Sequence, residues 1–342
     1  MTQTTNQVRV ATDRFGPRTT FEELEIGKDL GTEVFLVTQS QIDQVCDRQE
    51  DHHPYYEVNS PFGGTVAPMS MTYMLTRALF SQTYSVRGLF YNWAVECVRP
   101  VRPEVRHTVS GRLTEKWIKN DREFVAYESV CKDDKGQVVF TTRRAHVLDF
   151  IKRTAPKVGY TEGSSSARTP EARAGREPYW DPDWPADETA AGTGEIEIPP
   201  LARMDTPIGA PLPAVSTFLS RKRFIKLQEY HIKGRAPNLH VSVEAARQEG
   251  LPGPVASAPD LMAMIQRCAL EFFGAGWLQG GRADLVCRRP TFIGDYVSAK
   301  GVVTRRDVLP DGSHRLECDA WVENQKGEKK IAGTISGIVR AR

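Results

Sequence analysis

Apolar positions along the chain change period in the same order twice. Residues 31–38 (GTEVFLVT) are rich in β-branched and aromatic side chains and predict a strand. Thr38 stands three residues before Gln41, the spacing of a capping box that starts a helix. Ile42, Val45 and Cys46 give that helix its apolar stripe. After a polar loop, helical periodicity returns over 68–82 (PMSMTYMLTRALFSQ) and again over 259–274 (PDLMAMIQRCALEFFG). In the later helix Met262, Ile265, Ala269 and Phe272 mark one face, while Leu261, Met264, Cys268 and Phe273 fill in around it. A helix apolar on most sides must be covered on most sides. Four segments of strand character follow each long helix: 88–99, 106–117, 122–132 and 137–149, then 283–289, 296–306, 313–324 and 330–340. Asp133-Asp134-Lys135-Gly136, Leu309-Pro310-Asp311-Gly312 and Asn324-Gln325-Lys326-Gly327 are the tight turns between them.

The recurrence extends to residue identity. Arg99 to Gly111 (RPVRPEVRHTVSG) parallels Arg289 to Gly301 (RPTFIGDYVSAKG), and Gly64-Thr65-Val66-Ala67 parallels Gly253-Pro254-Val255-Ala256. An internal repeat of this length predicts two units of one architecture. They are residues 1–154 and 213–342, joined by a linker over 155–212. Each unit is a long central helix wrapped by an antiparallel sheet, an α+β arrangement. The two sheets are expected to join edge to edge, which hides two strand edges. The linker is rich in Ala, Gly, Pro and mixed charge, but it contains EPYWDPDWP at 177–185. Trp180 and Trp184 are too apolar for a free tether and predict either a segment anchored to a domain surface or a cover over an active-site mouth.

Composition narrows the classes. A chain of 342 residues with 40% hydrophobic content suits two ordinary cores. The net charge of +2, without basic runs interleaved with aromatics, excludes a nucleic-acid partner. No run of 18 apolar residues exists and MTQTTNQVRVATDR has no apolar signal core, so no membrane span and a cytoplasmic location are expected. The six cysteines (46, 97, 131, 268, 287 and 318) lack metal-ligand spacing and predict reduced thiols, no metal and no cofactor.

The candidate chemistry sits in two loops. Tyr230 to Pro259 reads YHIKGRAPNLHVSVEAARQEGLPGPVASAP. It resembles the hydratase signature of MaoC-like (R)-specific enoyl-CoA hydratases, roughly Y-x-x-x-G-D-x-N-P-L/I-H and then G-x-P-I/V-A-H-G. Gly234, Leu239, His240, Ala246, Gly253, Pro254, Val255 and Ala256 fall on that pattern. Arg235 stands where the family has its catalytic aspartate, Pro237-Asn238 inverts the Asn-Pro pair, and Ser257-Ala258 replaces His-Gly. Glu50 to Ala67 (EDHHPYYEVNSPFGGTVA) is similar in the first unit: Asp51 falls on the aspartate, His53-Pro54 on the Asn-Pro pair and Tyr56 on the histidine. The resemblance implies a tandem, or double, hot-dog fold, with a loop Asp and His serving as base and acid for addition of water to a conjugated thioester. The helix N-terminus behind the loop would stabilise the enolate.

These residues give a set of expectations. Asp51, His53, Tyr56 and His240 are the candidate catalytic groups. His52, Tyr55, Gly63, Gly64, Thr65, Arg235 and Gly253 are the candidate substrate-binding positions, with Tyr55 and Tyr56 near the mouth of a pocket between the units. Arg235 stays protonated and is a cation for an anionic substrate, never a base. The expected function is a hydratase or dehydratase acting on an acyl-CoA, an acyl carrier or a related conjugated carbonyl, in a homodimer or a MaoC-like heteromer. The alternatives are an isomerase or cyclase on the same scaffold, or a non-catalytic acyl-binding subunit.

Overall fold

The structure, a computed structural model, describes residues 19–84, 89–148, 198, 200–222, 239–248 and 251–341. Arg235, Trp180, Trp184 and most of the 155–212 linker lie outside the described residues. In chain order the first half holds β1 (Asp29–Leu36), α1 (Gln39–Gln49), α2 (Pro54–Glu57), α3 (Met71–Thr83), β2 (Phe90–Cys97), β3 (Arg106–Lys119), β4 (Arg122–Lys132) and β5 (Val138–Val147). The second half holds β6 (Val215–Phe218), α4 (Val243–Gln248), α5 (Ala258–Phe273), α6 (Ala275–Leu278), β7 (Arg282–Cys287), β8 (Tyr296–Val308), β9 (His314–Asn324) and β10 (Lys329–Val339).

All ten strands form one antiparallel sheet in the order β1-β3-β4-β5-β2-β7-β10-β9-β8-β6. Read from either edge, the strands come in the same sequence of roles. Helix α3 lies against β1, β3 and β5, and α5 against β6, β8, β9 and β10. A large antiparallel sheet carrying few helices fits a hot-dog fold. The three turns form as expected: the Gly136, Gly312 and Gly327 amides donate to Asp133, Leu309 and Asn324 at 3.0, 2.9 and 2.9 Å.

Periodicity explains the packing. Leu75, Leu79 and Phe80 of α3 are buried with Val109, Leu113 and Val125 of the sheet. On α5 the apolar stripe and its flanks are all buried, Leu261, Met264, Cys268 and Phe273 included. Each such side chain contributes roughly 1.5–3 kcal/mol. Helix α3 starts at Met71, later than the apolar run, because Pro68 and Met69 carbonyls accept from Met71 and Thr72 in a preceding turn. Strand β6 was not foreseen; four residues between prolines and a polar stretch carry too little pattern. The six cysteines are free thiols, five of them buried. No helix among the described residues is long and apolar enough to cross a membrane.

The halves meet at β2 and β7. Trp93, fully buried, stands opposite Leu285. Asn92 Nδ2 donates to Asp284 Oδ1 at 2.7 Å and to the Leu285 carbonyl at 3.1 Å. This pairing is the expected edge-to-edge join, and it lets groups from one half act on the other.

Candidate active site

The loop after α1 is built from its caps. Thr38 and Gln41 close the capping box, with Thr38 Oγ1 accepting from Gln41 N–H at 3.3 Å. After eleven residues the helix stops at Glu50, whose backbone is left-handed at φ 53°. That conformation costs a non-glycine residue about 1 kcal/mol or more. Arg267 Nη1 of α5 donates to the Glu50 carbonyl at 3.0 Å and holds the turn. The reversal sends Asp51 inward: its amide donates to Cys46 O at 3.0 Å and its side chain is buried.

His53 caps α2, its Nδ1 accepting from the Tyr55 amide at 3.2 Å, and Pro54 occupies the first turn. In the neutral ring the proton therefore sits on Nε2. The rings of Tyr55 and Tyr56 lie 4.6 and 5.7 Å from that of His53. His52 points outward and pairs with Glu57 at 2.5 Å. Tyr55 borders a cavity. It is largely buried, and its hydroxyl exchanges hydrogen bonds with the Ile198 amide and carbonyl at 3.2 and 3.3 Å. Tyr56 is fully buried.

The glycine loop folds on itself. Gly63 and Gly64 have φ of 75° and 90°, which only glycine adopts freely. The Gly64 amide donates to Asn59 Oδ1 at 2.7 Å and the Gly63 amide to Ser60 O at 3.1 Å. Both amides are thus engaged within the loop rather than presented to a ligand. Arg102 Nη2 donates to the Gly63 carbonyl. Thr65 Oγ1 donates to Gln39 Oε1 at 2.6 Å, and Gln39 Nε2 donates to the Tyr56 carbonyl at 2.8 Å.

Electrostatics single out Asp51. Burial pushes its carboxyl up to about 6, and Arg267 opposes part of that rise. Burial, with Arg267 adding to it, lowers His53 to about 4, so the ring is neutral at pH 7. Tyr56 is raised by burial and then by Asp51, and it keeps its proton at neutral pH.

The second loop is clamped differently. His240 Nδ1 lies 2.8 Å from the Val255 carbonyl, and the Val255 amide donates to Leu239 O at 3.2 Å. A carbonyl only accepts, so Nδ1 carries the ring proton and Nε2 is the basic nitrogen. Burial lowers His240, with the Val255 bond opposing. Gly253 stands in open space, with nothing within 4 Å of an added Cβ.

The groups acting on Asp51 are Arg267, Glu271, His52 and Glu57; those acting on His240 are Asp260 and Arg77. The two sets share no residue. Both sets draw on α5. Asp260, Arg267 and Glu271 follow at i, i+7 and i+11 on one helix face. Asp260 also pairs with Arg48 of α1 at 3.3 Å across the halves. Sequence reading missed this stripe. Its signal was available: these are the only charged side chains in an otherwise apolar helix. A cavity of about 560 Å³ is lined by Tyr55, Pro61, Ile198, Pro200, Phe273 and Ile338.

Arg267→Met should raise the Asp51 carboxyl further. If Asp51 works as a base, the acid limb of the pH–rate profile moves to higher pH. Activity at pH 7 is expected to drop about tenfold and to recover by pH 9. An unshifted profile would show that Arg267 only holds the loop.

No family model matches the chain, and no curated protein does. Solved structures do. A MaoC-like dehydratase is similar over 94% of this chain and 100% of its own, at 17% identity and a TM-score of 0.70. The MaoC domain protein dehydratase from Chloroflexus aurantiacus is similar over 99% and 100%, at 10% identity and 0.63. The MaoC-like dehydratase from Phytophthora capsici is similar over 94% and 98%, at 12% identity and 0.59. At these identities the likeness shows the fold alone, the hot-dog arrangement that the sheet and its helices also fit.

Proposed function

We propose that the chain is a MaoC-like hydratase or dehydratase that adds or removes water at a conjugated acyl thioester. Residues 1–154 and 213–342 are its two hot-dog units, with α3 and α5 as central helices and 155–212 as linker. The first unit is the chemical centre. One observation carries this reading: a buried carboxyl on the motif loop, Asp51, that titrates near 6, where it can both take and return a proton close to neutral pH.

Asp51 takes a proton from water as the oxygen adds to Cβ, and a proton is delivered to Cα. Tyr56, protonated and fully buried, is the donor on the same loop. Asp51 hands its proton back to the tyrosinate to close the cycle, and the Nε2–H of neutral His53 offers a hydrogen bond to the reacting oxygen. The acyl chain occupies the cavity beside Tyr55. Thr65 holds the loop through Gln39, while His52, Arg235 and Gly253 contact the carrier, CoA or an acyl carrier protein. No cofactor is needed. A homodimer or a heteromer with another MaoC-like chain, in the cytoplasm, fits this role.

Purified protein incubated with trans-2-enoyl-CoA esters of several lengths is the test. Loss of the conjugated-thioester absorbance with formation of 3-hydroxyacyl-CoA is expected. No turnover of any ester would overturn the reading and leave a non-catalytic acyl-binding subunit. A second reading, an isomerase or cyclase, is favoured by Arg235, which stands at the motif's aspartate position and breaks the Asp–His pair of the second loop. Proton relocation or closure by an internal hydroxyl needs only one such group. A product isomeric with the substrate would identify it.

A further inference from the structure

Arg144 has no place in the chemistry above. It lies on β5, facing α3, and is fully buried. Its guanidinium sits 3.8 Å from the ring centre of Tyr73, 5.3 Å from Phe90 and 5.6 Å from Tyr127. Nη1 donates to the Tyr73 carbonyl at 2.8 Å and to Thr76 Oγ1 at 3.2 Å. Nε and Nη2 are buried and have no hydrogen-bond partner among the described residues. These two nitrogens form one edge of the guanidinium fork, the edge that grips a carboxylate. Arg282 uses that same edge on Glu96 Oε1, at 2.9 and 2.6 Å.

The neighbours share the defect. Tyr127 stands opposite Arg144 in the β4–β5 register, and its hydroxyl, like the side-chain atoms named next, is buried without a hydrogen-bond partner among the described residues. His146 lies two residues along the same face, and its Nε2 is likewise unpartnered. One step the other way, Ser129 and Thr142 face each other with both hydroxyls unpartnered. The charges that act on Tyr127 and His146 are the cations Arg144 and Arg77. Buried polar groups are normally hydrogen-bonded and buried charges paired. A row of exceptions on one face is therefore a poor core and a good receptor. The walls are aromatic: Phe80 stacks on Tyr127 and His146 at 4.8 and 5.4 Å. Tyr73, Phe90 and His146, which surround the fully buried fork, are themselves only partly buried.

We propose that this face of the first half binds a monoanionic carboxylate carried on a flat apolar body. Its two oxygens meet Nε and Nη2 of Arg144. The Tyr127 hydroxyl donates to it, and the body lies among Tyr73, Phe80 and Phe90. The site is separate from the Asp51 loop and does not rest on the hydratase reading. A carboxylate fits better than a phosphate because the open edge offers two donors in one plane.

Full-length protein titrated with sodium phenylacetate, phenylacetamide or inorganic phosphate tests this. Binding is read by calorimetry and by the Arg144 Nε–H resonance in ¹⁵N-labelled protein. Phenylacetate should bind and shift that resonance. The amide, which has shape without charge, should bind at least tenfold more weakly. Arg144→Lys keeps the charge and loses the fork, and should weaken phenylacetate at least tenfold. Tyr127→Phe removes one hydroxyl only and should weaken it several-fold. If Arg144→Lys does not fold, Tyr127→Phe and the wild-type resonance decide the matter. The proposal is overturned if phenylacetate does not bind, if acid and amide bind alike, if the resonance stays still at saturation, or if phosphate binds more tightly than phenylacetate.

Discussion

Asp51→Asn is expected to lower turnover of an enoyl thioester by about 10² or more while the protein becomes more stable at pH 8. The activity loss is the usual scale for removing a general acid–base group. The stability gain follows from the direction of the shift. The folded carboxyl titrates at about 6 against an ordinary 3.8, because burial opposes its ionisation. A group raised on folding contributes stability that is complete below the unfolded value and lost as pH rises through the folded one. A shift of this size corresponds to about 3 kcal/mol. Asn carries no charge, so the variant should unfold at higher urea than the wild type above pH 6, and the two should converge near pH 4. His240→Ala should affect turnover less. The opposite ranking, with Asp51→Asn silent and His240→Ala inactive, would move the chemistry to the second half. Equal urea midpoints at pH 8 would show that Asp51 ionises without strain.

Gly333→Ala is expected to destabilise the protein by more than about 3 kcal/mol, enough to lose the folded state at moderate temperature. Gly333 lies mid-strand in β10, between Leu285 of β7 and Ala320 of β9. A Cβ there would stand 1.9 Å from the Asp284 carbonyl oxygen. That oxygen is backbone in a strand paired on both sides, so it cannot swing away. Either β10 leaves β7 or the seam with β2 shifts, and the contact between Arg267 and Glu50 goes with it. Gly253→Ala is the control. Its Cβ enters open space at an ordinary φ, and the change should stay within about 0.5 kcal/mol. A Gly333→Ala protein with an unchanged urea midpoint would mean that the strands at the join are spaced more widely than described.

Much of the fold was legible because local patterns and long-range needs agree here. Thr38 and Gln41 marked the start of α1, and the filled-in apolar faces of 259–274 marked α5 as a covered helix. The turns ending in Gly136, Gly312 and Gly327 placed the hairpins. The recurrence of RPVRPEVRHTVSG as RPTFIGDYVSAKG preceded a sheet whose strand order reads alike from both edges. Such signals lie within a few residues of the structure they cause, so a single sequence displays them. The short β6 lacked the length to display one.

The site was legible only as a set of chemical types. The motif spacing put Asp51, His53 and Tyr56 on one loop and His240 on the other; only the structure set His240 against the Val255 carbonyl. Their environments came from residues distant in sequence. Arg267 reaches Glu50 from another helix, Ile198 occupies the Tyr55 hydroxyl, and Asn59 and Ser60 consume the glycine amides expected to face a ligand. A carboxyl's pKa depends on burial and on charges within a few ångströms, and neither is a property of the neighbouring letters. The sequence by itself determined which side chains could take or give a proton and which helices had to be enclosed. Only the tertiary structure decided that Asp51 would be the one held near neutrality, because its burial and the cation that tempers it, Arg267 of α5, come from packing between residues far apart in the chain.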